Sequence, residues 1–174
     1  MINDSQLKKI MLLATTGNIA KFAKPINDAC TMFAIDTSLR QAAFLAQVAH
    51  ESGELRYVKE LADGSAYEGR IDLGNLHPGD GPRYKGRGLL QITGRDNYYR
   101  LGRYLNIDLI EQPELLEQPG LAATSAAWFW TEKGLNDLAD KGLFERITRR
   151  INGGLNHYQE RLAYYQRAQR VLES

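Results

Sequence analysis

Two carboxylates nine residues apart, Glu51 and Glu60, are the side chains whose type and spacing best suit chemistry. Glu51 follows Leu39 to Ala49, a run apolar on almost every helical face, so it emerges from a segment that must be buried. A helix starting at Ser38, with Gln41 completing a capping box, aligns Leu39, Ala42, Ala43, Ala46, Ala49 and His50 on one stripe. It leaves Glu51 in the last turn before a stop at Gly53. The negative end of the helix dipole and apolar surroundings both disfavour ionisation there, so a raised pKa is expected, and a carboxyl kept protonated near neutral pH can act as a general acid. In an unbroken helix Glu60 would lie about 13 Å further on and roughly half a turn out of phase. A fold-back at Gly53 is therefore needed for the pair to face each other across a groove. Paired carboxylates in contrasting environments are the apparatus of glycoside hydrolysis.

On the residues alone, plainer readings account for the same pattern. Glu54 and Glu60 read as solvated charges and Glu51 as an ion-paired helix end. His50-Glu51 opens a zinc-protease motif, but that motif needs a second histidine one turn later, where this chain has Glu54, and the other histidines, His77 and His157, are distant. No cofactor or metal is expected. Tyr84 to Gly94 is glycine-rich but lacks the spacing and the Lys-Ser/Thr ending of a nucleotide loop. Alternation after Gly88 predicts a short strand with Gln91 and Thr93 on one face, able to hold a water or a sugar amide, or simply forming a polar edge. Asn152-Gly153-Gly154 reads as a helix end and a turn. Trp128 and Trp130 are read as core.

With 174 residues the chain suffices for one domain with a sizeable core, residues 1–174, and no separate wall-binding domain is expected. A formal net charge of +1 gives no field that would point to nucleic acid, and Arg146, Arg149 and Arg150 read as a solvated helix face. The single cysteine, Cys30, excludes an internal disulfide and suits a buried thiol. Ile10 to Ala14 is too short for a signal-peptide core, and no run approaches membrane-spanning length, so neither secretion by a leader nor membrane insertion is expected. Helices are predicted near residues 5–15, to about Ile35 with Pro25 in the first turn, over Ser38–Glu51, and over 94–105, 121–131, 143–151 and 158–172, the last capped by Asn156. Between Ala62 and Gly88 periodicity vanishes and glycine is dense; with short extended pieces at 67–71 and 88–93, this segment is read as a small β element and one wall of a cleft. The fold class is mostly α, in the α+β sense.

Taken together, Ala49-His50-Glu51-Ser52-Gly53 with Glu60, Tyr84 to Thr93 with Asn97-Tyr98, Trp128-Phe129-Trp130, Asn152-Gly153-Gly154-Leu155 and Arg161 resemble glycoside hydrolase family 19, the lysozyme-like chitinases, and its compact bacteriophage endolysins. The resemblance implies a lysozyme-like domain and an inverting mechanism, with Glu51 as general acid, Glu60 as general base and the Thr93 hydroxyl fixing the attacking water. An inverting pair stands about 6.5–9.5 Å apart. His50, Tyr84, Gln91, Asn97, Asn152 and Arg161 fall at or within substrate-binding blocks, and Arg161 supplies a positive charge near the acid. Asp96 stands where the family has a substrate-contacting tyrosine, and Glu68 is the substitute base if Glu60 faces away. The implied function is a monomeric peptidoglycan endolysin, most simply an N-acetylmuramidase. It would be made in the cytoplasm of a host bacterium and reach the glycan strand through a holin-type membrane lesion. A family 19 chitinase and a non-catalytic wall-binding protein are the rivals.

Overall fold

In the computed structural model, which describes residues 1–174, the helix carrying Glu51 is the central element. Helices α1 (Asp4–Ile10), α2 (Thr16–Met32) and α3 (Ser38–Glu51) precede a long irregular segment, which holds two 3-10 turns (Ser65–Tyr67 and Ile71–Leu73) and the short α4 (Asp80–Arg83). Then come α5 (Arg95–Leu105), a 3-10 turn at Pro113–Glu117, α6 (Pro119–Glu132), α7 (Leu135–Asp140), α8 (Phe144–Asn152) and α9 (Tyr158–Leu172). Every residue of α3 from Ala42 to Ala49 is buried, so this helix needs neighbours on all sides. α9 lies along it, α7 touches it, and Trp130 of α6 meets Phe44 edge-on at 5.4 Å. α2 packs on α6 and α1 on α9, and all the buried hydrophobic side chains join one cluster. That single core is what makes the chain one domain.

Helix ends differ in detail from the expectation. Thr37, not Ser38, caps α3 by accepting from the Arg40 N–H at 3.2 Å, while the Gln41 amide donates to the Ile35 carbonyl, so no capping box forms. Leu39 is 37% exposed and leaves the predicted stripe. Pro25 sits inside α2 rather than in its first turn, because Thr15 caps the helix ten residues earlier and the buried stripe Ile19, Phe22, Ile26, Ala29 and Cys30 runs past it. Packing of that stripe outweighs the backbone hydrogen bond that proline removes. At α9 the N-cap is His157, not Asn156, and no side chain caps the helix. Trp128 and Trp130 are both core, and burial pushes the Cys30 thiol up to about 12.

The predicted β element shrinks to two isolated antiparallel bridges, Lys59 with Arg87 and Arg87 with Ile92. Residues 67–71 do not extend as a strand but link the two 3-10 turns through a reversal at Gly69, which adopts positive φ. The glycine-dense segment is nonetheless tied down by polar side chains, the exposed Glu68 and the buried Asn75 and Asp80. Glu68 accepts from the Gly79 N–H at 2.9 Å and the Gly81 N–H at 3.4 Å, which makes it a loop staple. Buried Asn75 donates to the Tyr67 carbonyl at 2.8 Å and accepts from the Arg95 N–H at 2.9 Å. Asp80, also buried, takes Arg95 Nε at 2.9 Å and Nη2 at 3.1 Å and the His77 N–H at 3.0 Å. At Gly81 a Cβ would stand 2.6 Å from the Glu68 backbone nitrogen, so only glycine lets the two passes of the loop touch.

Burial pushes the Asp80 carboxyl up, but the Arg95 guanidinium and the His77 amide more than offset it and hold it below the usual carboxylate range. Its contribution is therefore present above the unfolded value of about 3.9 and is lost as pH falls through the lower folded value. Asp80→Asn should cost about 2 kcal/mol in urea unfolding at pH 7, and the difference from wild type should close below about pH 4.

Candidate active site

Glu51 ends α3, where the chain reverses through three successive residues of positive φ, Gly53, Glu54 and Leu55. The Ser52 hydroxyl donates to the Val48 carbonyl at 2.6 Å and accepts from the Leu55 N–H at 2.9 Å, and the Glu54 N–H reaches the Ala49 carbonyl at 2.8 Å. The fold-back expected at Gly53 is present and is wider than one glycine. Glu54, expected in solvent, is buried and accepts from the Leu13 N–H at 3.1 Å, which ties the reversal to the turn after α1.

The surroundings of Glu51 are not the apolar wall expected from the sequence. Its Oε1 lies 2.8 Å from Nη2 of Arg161, in the first turn of α9. Arg161 is 2% exposed and also donates from Nη1 to Gln47 Oε1 at 2.6 Å and from Nε to the Asn156 carbonyl at 3.2 Å. All three guanidinium nitrogens therefore face acceptors of the chain itself, the Glu51 carboxylate among them. No other donor of the chain engages Glu51, which leaves Oε2 open.

His50 lies beside this pair. Its ring packs against that of His157 at 5.1 Å between centroids, and Nδ1 stands 3.4 Å from Glu160 Oε1 without the geometry of a hydrogen bond. Burial first, and the Arg161 charge second, hold the imidazole below its ordinary range, against the opposing pull of Glu51 and Glu160.

Glu60 sits in the other group. Its backbone N–H donates to the Gly86 carbonyl at 2.9 Å, next to the Lys59–Arg87 bridge, and its carboxylate is held at both ends. Oε1 accepts from the Gly86 N–H at 2.6 Å and Oε2 from the Tyr67 hydroxyl at 3.1 Å. Burial, then the Glu60 charge, push the Tyr67 phenol up, so it stays a donor. A Cβ on Gly86 would stand 2.7 Å from Gln91 Oε1 and 3.3 Å from Thr93 Oγ1. Glu60, Gln91 and Thr93 therefore converge on one bare stretch of backbone. They do so through a tight turn, with Gln91 at φ +61°, not through the expected strand. Asn97 backs the group by donating to the Thr93 carbonyl at 2.9 Å.

The Tyr84 side chain is part of the core. It is fully buried, its hydroxyl donates to the Ile110 carbonyl at 2.8 Å, and its ring packs on Tyr98 at 5.3 Å. The two buried side-chain polar atoms that lack any partner are His50 Nδ1 and Asn152 Nδ2, both at residues singled out from the sequence. An orphaned buried donor costs about 1–3 kcal/mol, and such groups are characteristic of places kept for a ligand or a water. Sequence reasoning missed Tyr67, Gly86, His157, Glu160 and Gln47. For Gln47 there was a signal, because it is the one polar residue between Ala42 and Ala49. A concavity of about 840 Å³ lies along α5 and residues 106–110, and none of the candidate residues lines it.

With this geometry in view, comparison with known proteins is decisive. The glycoside hydrolase family 19 model, described as chitinase class I, matches residues 18–142. The chain belongs to glycoside hydrolase family 19. A family 19 domain-containing protein of Haemophilus influenzae is 32% identical over 95% of this chain and 94% of its own length. An Arabidopsis thaliana endochitinase is 40% identical over 65% of this chain, which spans only 39% of that relative. Among solved structures, chitinase C from Streptomyces griseus superposes with a TM-score of 0.82 at 25% identity, covering 99% of this chain and 77% of that one. The mostly helical, lysozyme-like family 19 fold is therefore established, and the chain is a chitinase-like glycoside hydrolase. The family match includes Glu51, Glu60, Gln91, Thr93 and Asn97; Asn152 and Arg161 lie beyond it, in the part shared with the Haemophilus protein.

Because folding holds His50 below its ordinary value, the folded hydrolase binds that proton less readily than the unfolded chain. The resulting cost is absent above the unfolded value of about 6.5 and grows as pH falls through it. His50→Asn should lose melting temperature less steeply than wild type between pH 7.5 and 5, as measured by circular dichroism.

Proposed function

We propose that this family 19 hydrolase cleaves the β-1,4 bonds of the peptidoglycan glycan strand with inversion, as an N-acetylmuramidase of the endolysin type. The observation that carries the mechanism is the contrast between the two carboxylates. Glu51 has one partner, Arg161, and an open Oε2, whereas both oxygens of Glu60 are held by donors. In this reading Glu51 Oε2 gives its proton to the glycosidic oxygen as the C1–O bond breaks. Glu60 takes a proton from a water that attacks C1 from the opposite face. Glu51 becomes charged as the proton leaves, and Arg161 is already in place to stabilise that charge, with no reorganisation. Thr93 and Gln91 orient the water beside Glu60, while Asn97, Asn152 and His50 face the sugar.

Peptidoglycan is favoured by the resemblance of the motif blocks to compact phage endolysins and by the match to a bacterial protein along nearly its whole length. Access to the wall would then come through a lesion made by a separate holin-type protein, with the enzyme acting as a monomer. The relatives named endochitinase and chitinase support the second reading, hydrolysis of N-acetylglucosamine polymers.

Purified peptidoglycan and chitin hexamer, each digested with wild type, Glu51→Gln and Glu60→Gln, separate these readings once the products are reduced and weighed by mass spectrometry. Wild type should release ends that reduce to N-acetylmuramitol, and NMR should show the α-anomer first. Loss of the acid should lower the rate on the order of 10²–10⁴-fold. Cleavage of chitin alone would establish the second reading, and hydrolysis unchanged in Glu51→Gln would overturn the catalytic assignment.

A further inference from the structure

Gln47 lies one turn before Glu51 on the same face of α3 and is fully buried. An amide at that depth is tolerated only with its hydrogen bonds satisfied, and here they run in one direction. The Thr148 hydroxyl, on α8, donates to the Phe144 carbonyl at 3.1 Å, so towards Gln47 it can only accept. Gln47 Nε2 donates to Thr148 Oγ1 at 3.0 Å, and that choice turns Gln47 Oε1 towards Arg161 Nη1, at 2.6 Å. Arg161 Nη2 then faces Glu51 at 2.8 Å, while its Nε is fixed on the Asn156 carbonyl. Three helices thus contribute to one polarised chain, from the Phe144 carbonyl through Thr148, Gln47 and Arg161 to the Glu51 carboxylate.

We propose that Gln47 is a positioning residue for Glu51, acting through Arg161, and that Thr148 fixes the orientation of its amide. The inference rests on the reading of Glu51 as the acid. Neither side chain touches substrate; their effect is to hold the guanidinium plane where Glu51 needs it. If Thr148 could not accept, the Gln47 amide could turn its NH2 towards Arg161, setting donor against donor. The guanidinium would then lose its third anchor. The other charged and titratable groups around Glu51 are His50 on its own helix and His157 and Glu160 from α9. They stay in place in each variant below, so changes among the variants report on the relay.

The test uses Thr148→Val, which keeps shape and removes the acceptor, Thr148→Ser, which restores it, and Gln47→Glu, which sets a second carboxylate on Arg161. Two readouts are taken on the whole chain: kinetics on whichever glycan wild type cleaves, and side-chain 15N NMR of the Arg161 guanidinium. Thr148→Val should lower kcat on the order of 10- to 100-fold with KM within about twofold, and Thr148→Ser should recover most of it. Gln47→Glu should move the high-pH limb of the rate profile upward, because it takes Arg161 from Glu51 and adds a like charge beside it. The Arg161 Nη protons should be resolved by slow rotation in wild type and should average in Thr148→Val. A variant that merely lost stability would show fewer active molecules but an unchanged pH profile and unchanged Arg161 signals in the folded fraction. Wild-type kinetics and Arg161 signals in Thr148→Val would overturn the relay. Wild type inactive on both glycans would instead overturn the catalytic reading, and the NMR readout would still decide whether Gln47 and Thr148 hold Arg161.

Discussion

The contact between Arg161 and Glu51 is the constraint on which the arrangement of this protein depends. A guanidinium that is almost wholly buried is costly to desolvate and persists only where its donors are matched. Arg161 meets that condition with Glu51, Gln47 and Asn156. The first two acceptors sit one turn apart on α3, so α9 must lie along α3 at one height and in one rotation. That requirement explains why a helix as apolar as α3 carries a glutamine in its middle. It also explains why the proposed acid stands at the helix end, where the helix leaves the core and Glu51 gains access to solvent.

The proposed base is held by different physics. Glu60 lies on the irregular segment, and its position is set by backbone: the Gly86 N–H on one oxygen and a mutual pairing of the two main chains. Gly86 serves here by absence, since any Cβ would enter the space towards which Gln91 and Thr93 point. The glycine-dense stretch is therefore a built wall. Its stiffness comes from buried Asp80 and Asn75, from half-buried Arg95 and from the Glu68 staple, rather than from a sheet.

What could be read from the sequence follows the range of the interactions concerned. The bounds of α3, the turn after Glu51 and the residue types at Gln91, Thr93 and Asn97 are local facts, written in periodicity, glycine and motif. The sequence does not distinguish Thr37 from Ser38 as the cap of α3, because the two are chemically equivalent there and only packing selects between them. Proline is costly inside a helix, so Pro25 on sequence alone suggests a helix start, and the stripe that outweighs this cost is a tertiary feature. The partners of the site were out of reach for the same reason. Gln47 and Arg161 are 114 residues apart, and Gly86 and Glu60 26. Tyr84 lies in a motif block but points into the core, a direction that spacing alone does not encode.

These two modes of support have unequal consequences for change. The setting of Glu51 is made of side chains from α3, α8 and α9 packed at core density, where a lost methyl or a turned amide has nowhere to relax. The setting of Glu60 is made chiefly of main chain, which tolerates most substitutions except at the few positions where a Cβ cannot fit. Leu61, Ile71 and Leu76 stand exposed on the irregular segment, away from the contacts that hold the Glu60 carboxylate. The buried network behind Glu51 is less tolerant, because each of its members has a partner that would be left unpaired.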